Sequence, residues 1–139
     1  MKITLYYAPG ACSLASHIAL EESGLAYEAV KINTAAGEQR APAYLKVNPR
    51  GRVPTLVVDG KVLVENVAIL TWVAGGHPQA GLWPKTTWEQ AQAVSMMAWF
   101  ADTVHPAFAH VFRAERYVPE GAPSDDVKAK GREAYWDCL

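Results

Sequence analysis

The sequence predicts an α/β domain followed by an all-α segment. Strand-like and helix-like runs alternate up to about residue 77, whereas beyond about residue 87 the apolar residues recur only at helical spacing. An Asp-Gly pair between two apolar runs adds an antiparallel hairpin to the first part. The expected organisation is a first domain over residues 1–77, a linker over 78–86 and an incomplete helical domain over 87–139.

Lys2 to Tyr7 is rich in β-branched and aromatic residues and stops at Ala8-Pro9-Gly10-Ala11, which reads as a strand entering a turn. A helix follows. Leu14, Ala15, Ile18, Ala19 and Glu22 fall on one stripe, expected to face the core, with Ser13 as cap and Gly24 as terminator. Tyr27 to Ile32 alternates apolar with charged residues, completing a βαβ unit with parallel strands and a right-handed crossover. Asn33 to Arg40 is a polar loop, and Ala41 to Val47 holds one helical turn after Pro42. Thr55 to Val58 and Lys61 to Val64 flank Asp59-Gly60 and form the hairpin. Asn66 then opens a helical pattern through Val67, Leu70, Val73 and Ala74, ended by Gly75-Gly76.

In the second part Ala91, Val94, Met97, Ala98, Ala101, Val104, Phe108 and Val111 predict one long helix, interrupted locally at Pro106. Ser124 is positioned to cap a last helix whose apolar stripe is Val127, Gly131, Ala134, Tyr135 and Cys138. No helix-ending signal follows. Two amphipathic helices in so short a segment predict partner helices that are deleted or supplied by another chain.

Half of the 139 residues are apolar, enough for a substantial core, and 13 basic against 14 acidic residues leave a net charge of −1. That balance offers no electrostatic attraction for nucleic acid or an anionic membrane. The longest uncharged stretch, Asn66 to Pro84, is broken by glycine and proline and cannot supply the roughly 20 apolar residues of a membrane span. Cys12 and Cys138 are too few and too distant for a disulfide framework, and no basic-then-apolar leader opens the chain, so a cytoplasmic setting is expected. His17, His77 and His110 lack metal-ligand spacing with the cysteines; no metal is expected.

Cys12 carries the most chemical potential. At a strand-to-helix turn its sulfur meets unpaired N–H groups and the positive end of a helix dipole, both of which favour thiolate; a buried, inert cysteine is the alternative. Ala15 stands where a second cysteine would allow a dithiol cycle. The hydroxyls of Ser13 and Tyr6 can each donate to an anion, or else are a helix cap and a half-buried strand aromatic. Pro54, after Val53, lacks the N–H of a ladder residue and suits a special turn, in a cis or trans bond. At Glu65-Asn66 a helix start can receive a carboxylate and Glu65 an ammonium, unless the pair is only a cap and a solvated carboxylate. Arg50 and Arg52 could steer an anionic ligand, but beside a Gly-containing loop they read as solvated. Trp72, Trp83, Trp88, Trp99 and Trp136, with Phe100, Phe108 and Phe112, line an apolar pocket or pack the core.

A cysteine at the first strand-to-helix turn and a Val-Pro pair before the hairpin, set in βαβ-ββα order, is the plan of a thioredoxin-like domain. The stretches Tyr6-Tyr7-Ala8-Pro9-Gly10-Ala11-Cys12-Ser13-Leu14, Asn48-Pro49-Arg50-Gly51-Arg52-Val53-Pro54 and Glu65-Asn66-Val67-Ala68-Ile69 resemble those of the bacterial beta-class glutathione S-transferases, in matching order over residues 1 to about 115. The resemblance implies that the first domain binds glutathione as co-substrate, that a helical domain receives a small apolar electrophile, and that two chains form a homodimer. It also implies a site: Cys12 or Ser13 beside the glutathione sulfur, Tyr6 as a further hydroxyl, Val53 before a cis Pro54 pairing with the cysteinyl backbone, Glu65 and Asn66 on the γ-glutamyl end, and His105 reaching the site from the long helix. The sequence departs from the family at Asn66, where Ser or Gly is usual, at Pro106, where a basic residue would help, and at Ala98, where an amide occurs. The implied activity is conjugation of the glutathione thiolate to small apolar electrophiles. Two alternatives are a glutathione-dependent thiol-disulfide reductase using Cys12 and a non-catalytic glutathione-binding or dimerisation module. The second follows from a chain expected to be cut short, since beta-class members continue for several more helices.

Overall fold

In the computed structural model, which describes residues 1–138, a four-stranded sheet forms the frame of the first part. The elements are β1 (Ile3–Tyr7), α1 (Ser13–Ser23), β2 (Glu28–Lys31), a 3₁₀ turn (Glu38–Arg40), α2 (Pro42–Leu45), β3 (Thr55–Val58), β4 (Lys61–Val64) and α3 (Asn66–Gly76). The strand order is β2-β1-β3-β4. β1 and β2 run parallel with Thr4 opposite Glu28; β1 and β3 run antiparallel with Leu5 opposite Leu56; β3 and β4 close the hairpin with Val58 opposite Lys61. Asp59 and Gly60 both take positive φ, 46° and 81°, the backbone that a two-residue hairpin loop demands. This is the thioredoxin-like fold expected from the element order, followed along the chain by a helical region.

Ile3, Leu5, Leu20, Leu56, Ile69 and Val73 make the core between the sheet and helices α1 and α3. The pleat sends alternate residues of β1 to opposite faces. Tyr6 therefore lies away from that core, its ring edge-on to Tyr44 of α2 with centroids 5.6 Å apart. In α3 the residue most deeply buried between Val67 and Val73 is Ile69, not Leu70.

The face that α1 buries differs from the expected one. Leu14 and Ile18 are 56% and 52% exposed, while Ser13, Ser16, Leu20 and Ser23 point inward. The reason is hydrogen bonding. Ser13 bonds Ala8, Ser16 donates to Asn66 and Ser23 donates to the Leu20 carbonyl, so burying these small hydroxyls leaves none unpaired. Hydropathy alone could not reveal which stripe had partners. Ser13 also does not cap the helix. Cys12 occupies the cap position, and the Ser13 hydroxyl is committed elsewhere.

The chain divides into two compact units, Met1–Gln90 and the remainder from Ala91. After a 3₁₀ turn at Pro78–Ala80 come α4 (Thr87–Trp99), a π-helical stretch (Phe100–Val104), α5 (His105–Phe112), a 3₁₀ turn (Ala114–Tyr117) and α6 (Asp125–Asp137). The long helix expected to be interrupted at Pro106 is interrupted just before it, as two α-helices joined by a π-helical turn. Pro106 has no N–H for an i−4 bond and its ring crowds that carbonyl, and the His105 N–H reaches back five residues to Phe100. Of the expected apolar stripe, Met97, Ala98, Val104 and Val111 are half-buried and Ala91, Val94, Ala101 and Phe108 are exposed; α4 has no fully buried residue and α5 buries only Ala107. Ser124 precedes α6 but makes no side-chain cap bond. Gly131, expected on the apolar stripe of α6, is where α6 approaches α5, since a Cβ there would stand 2.8 Å from the His110 Cβ. No helix among the described residues is long and apolar enough to cross a membrane.

Candidate functional site

Three segments of the first unit converge on Cys12. The loop from β1 to α1 is pinned by Ser13, whose buried hydroxyl accepts from the Ala8 N–H and donates to the Ala8 carbonyl, each at 3.1 Å. Cys12, the residue before it, is exposed, and its thiol donates to the Val53 carbonyl at 3.7 Å. The Val53–Pro54 bond is cis. Asn66 completes the junction: its Nδ2 donates to the Cys12 carbonyl at 2.9 Å, and its Oδ1 accepts from the Ser16 hydroxyl at 2.6 Å.

The loop carrying Val53 is held from below by a buried polar cluster. Asn48 donates from Nδ2 to the Arg52 carbonyl and the Thr55 hydroxyl, both at 2.9 Å, and its Oδ1 accepts from the Arg50 N–H at 3.0 Å. The Tyr44 hydroxyl donates to the Arg52 carbonyl at 2.7 Å, and burial pushes its pKa up, which keeps that proton in place. Gly51 turns the loop at φ 58°, and a Cβ there would lie 2.7 Å from the Gln39 carbonyl oxygen. Gly51→Ala therefore meets both a backbone it resists and an atom it cannot displace. It is expected to destabilise by roughly 2 kcal/mol or more, seen as a lower urea midpoint at unchanged m; an unchanged midpoint refutes the loop argument.

Glu65 stands at the start of α3 with φ 73°, uncommon for a residue with a Cβ. Its carboxylate receives the Arg50 guanidinium at 2.9 Å, with both side chains about two-thirds exposed (64% and 66%). An exposed pair of this kind contributes at most about 1 kcal/mol. The first intrahelical donor of α3 is the Ile69 N–H, bonded to the Glu65 carbonyl, so the N–H groups of Asn66, Val67 and Ala68 are free to receive an anion.

The electrostatics at Cys12 run opposite to the expectation of a favoured thiolate. Although Cys12 as a residue is exposed, its sulfur is turned toward the Val53 carbonyl, and the solvation lost there raises the thiol pKa; the Glu65 carboxylate adds to the rise. Hydrogen bonds from the backbone of Cys12 and Ser13 and from the Asn66 side chain pull the other way, and they are outweighed. At neutral pH the sulfur keeps its proton and is a donor.

A family model, the glutathione S-transferase N-terminal domain, matches residues 1–75. The chain belongs to the glutathione S-transferase family. It is 38% identical over 136 residues to a glutathione S-transferase of Xanthomonas campestris pv. campestris, covering 94% of this chain and 66% of that protein. It is 36% identical to the glutathione S-transferase GstA of Escherichia coli O157:H7, over 83% of this chain and 60% of the relative. Among solved structures, a glutathione transferase homologue from Sulfitobacter with bound glutathione superposes with TM-score 0.91 at 39% identity, covering 99% of this chain and 66% of the other. The beta-class glutathione S-transferase of Sphingomonas chungbukensis gives 0.81 at 37% identity, over 96% and 65%. The chain thus spans 60% to 66% of the length of these proteins, less than two thirds.

Within this glutathione S-transferase domain the structure gathers Cys12, Val53, Pro54, Glu65 and Asn66 around one junction. Ser13 adjoins it with a hydroxyl that is buried and already bonded. Tyr6 packs on Tyr44 across the sheet, and His105, exposed at the first turn of α5, belongs to the second unit. Phe108, Phe112 and Trp136 line a cleft of about 280 Å³ in that unit, while Trp88 lies on the surface. Sequence reasoning set Arg50 aside as solvated. Its partner is 15 residues away across the hairpin, a distance that no local pattern encodes. Among the described residues no cluster of three or more His, Cys, Asp or Glu is placed to hold a metal ion.

Proposed function

We propose that this chain binds glutathione in an extended form along the first unit and conjugates its thiolate to small apolar electrophiles. The observation that carries the reading is the convergence of the Cys12 thiol, the Val53 carbonyl before cis Pro54, and the free N–H groups behind Glu65. The γ-glutamyl ammonium fits Glu65, its carboxylate fits the N–H groups at the start of α3, and the cysteinyl backbone fits Val53. The sulfur then lies beside Cys12. Support comes also from the Sulfitobacter homologue, 39% identical, which holds glutathione.

On binding, the cysteinyl N–H of glutathione takes the Val53 carbonyl, and the Cys12 S–H released from it turns to the glutathione sulfur and stabilises the anion, together with N–H groups at the start of α1. Lowering the glutathione pKa by two units is worth about 2.7 kcal/mol. The anion attacks an electrophilic carbon, a sulfur–carbon bond forms, and the leaving group departs with its bonding electrons. Ser13 is not used: its hydroxyl is fully buried and bonded to Ala8, whereas the Cys12 thiol is exposed to a ligand. The proposal includes residues 1–77 as the glutathione-binding domain, the 78–86 linker, a helical domain from 87, a second copy of the chain as partner, and the cytoplasm, where a reduced Cys12 persists.

The test is a calorimetric titration of reduced glutathione into the folded chain, paired with an aryl-halide conjugation assay. Saturable heat and turnover are expected. Saturable heat without turnover reduces the reading to a binding module, and no heat removes it.

A further inference from the structure

We propose that Asn66 is a positioning residue for Cys12: its side-chain amide bridges the starts of α1 and α3 and serves the thiol end of the site, leaving the γ-glutamyl end to Glu65 and backbone N–H groups. The orientation of the amide follows from its partners. The Cys12 carbonyl can only accept, so Nδ2 must face it, and Oδ1 must then take the proton of Ser16. Ser16 is fully buried, so its hydroxyl depends on that bond. Both ends of the amide are therefore spent on α1, 50 and 54 residues away in sequence. The same side chain lowers the Cys12 pKa against the opposing effects of burial and of Glu65, the charged group that faces the sulfur; Arg50, on the 48–54 loop, pairs with that Glu65 carboxylate.

This role deepens the glutathione reading but is testable without glutathione. In a Cys138→Ser background, the rate of Cys12 alkylation by iodoacetamide is followed against pH for the parent, Asn66→Asp and Asn66→Ser. Aspartate keeps the acceptor for Ser16 but replaces the donor to Cys12 with a negative charge, so the alkylation midpoint should rise. Each unit of rise slows alkylation about tenfold at a fixed pH below the midpoint. Serine is too short to span both partners and should shift the midpoint in the same direction by less. A midpoint unchanged in Asn66→Asp, with native circular dichroism, overturns the proposal; should that variant not fold, the serine variant decides by the same measurement. Failure of the glutathione titration would remove the proposed function and leave this result standing.

Discussion

Replacing Cys12 by Ala is expected to abolish the single glutathionyl adduct that the chain gains when incubated with oxidised glutathione, read as intact mass. The Cys12 thiolate attacks one sulfur of the disulfide, that sulfur–sulfur bond breaks, a mixed disulfide forms, and one glutathione leaves as thiolate. Cys12 is exposed, and the Glu65 and α3 N–H groups that should hold one half of the disulfide lie beside it. Since the Cys12 pKa is raised, adduct formation should accelerate as pH rises toward and through the ordinary thiol range. A parent chain labelled only at Cys138 would refute the placement of the glutathione sulfur. The same shift has a stability consequence. A folded-state pKa above the unfolded one favours the folded chain below the ordinary thiol pKa and loses that contribution as pH climbs through the raised value, so Cys12→Ser should flatten the alkaline fall in Tm.

Asn48→Ala should cause the largest loss of stability among the site variants. Asn48 is 2% exposed and makes three hydrogen bonds that hold the 48–54 loop. Truncation strands the Arg50 N–H, weakens the seating of Arg52 and Thr55, and leaves a void. The combined cost is about 2 to 4 kcal/mol, or a fall of roughly 10 °C in Tm. Because the loop also presents Val53 and Arg50, glutathione affinity should fall with it, which calorimetry below the new Tm would detect. A Tm within a degree or two of the parent would show that the polar cluster does not hold the loop.

Much of the architecture was legible because it depends on local chemistry. The Asp59-Gly60 turn, the alternation before Ile32 and the left-handed terminator at Gly24 each express a short-range backbone preference, and the strands and helices fall where those preferences put them. Parts of the site were legible for the same reason, since a cysteine, a Val-Pro pair and a Glu-Asn pair each mark the end of an element. The inward face of α1 was not. Its serines look polar until Ala8 and Asn66 are brought against them, and Leu14 and Ile18 look like core until the sheet proves to lie on the other side.

What the sequence determined by itself is the order of elements and the residues at their ends, because steric limits on φ and ψ and the spacing of apolar side chains act over a few neighbours. Only the tertiary structure decided that Arg50 pairs with Glu65, that Asn66 is tied to Cys12 and Ser16, and that the Cys12 thiol holds its proton more tightly than an ordinary one. Hydrogen bonding and solvation depend on which groups from distant segments share a volume, and that arrangement exists only once the chain has folded.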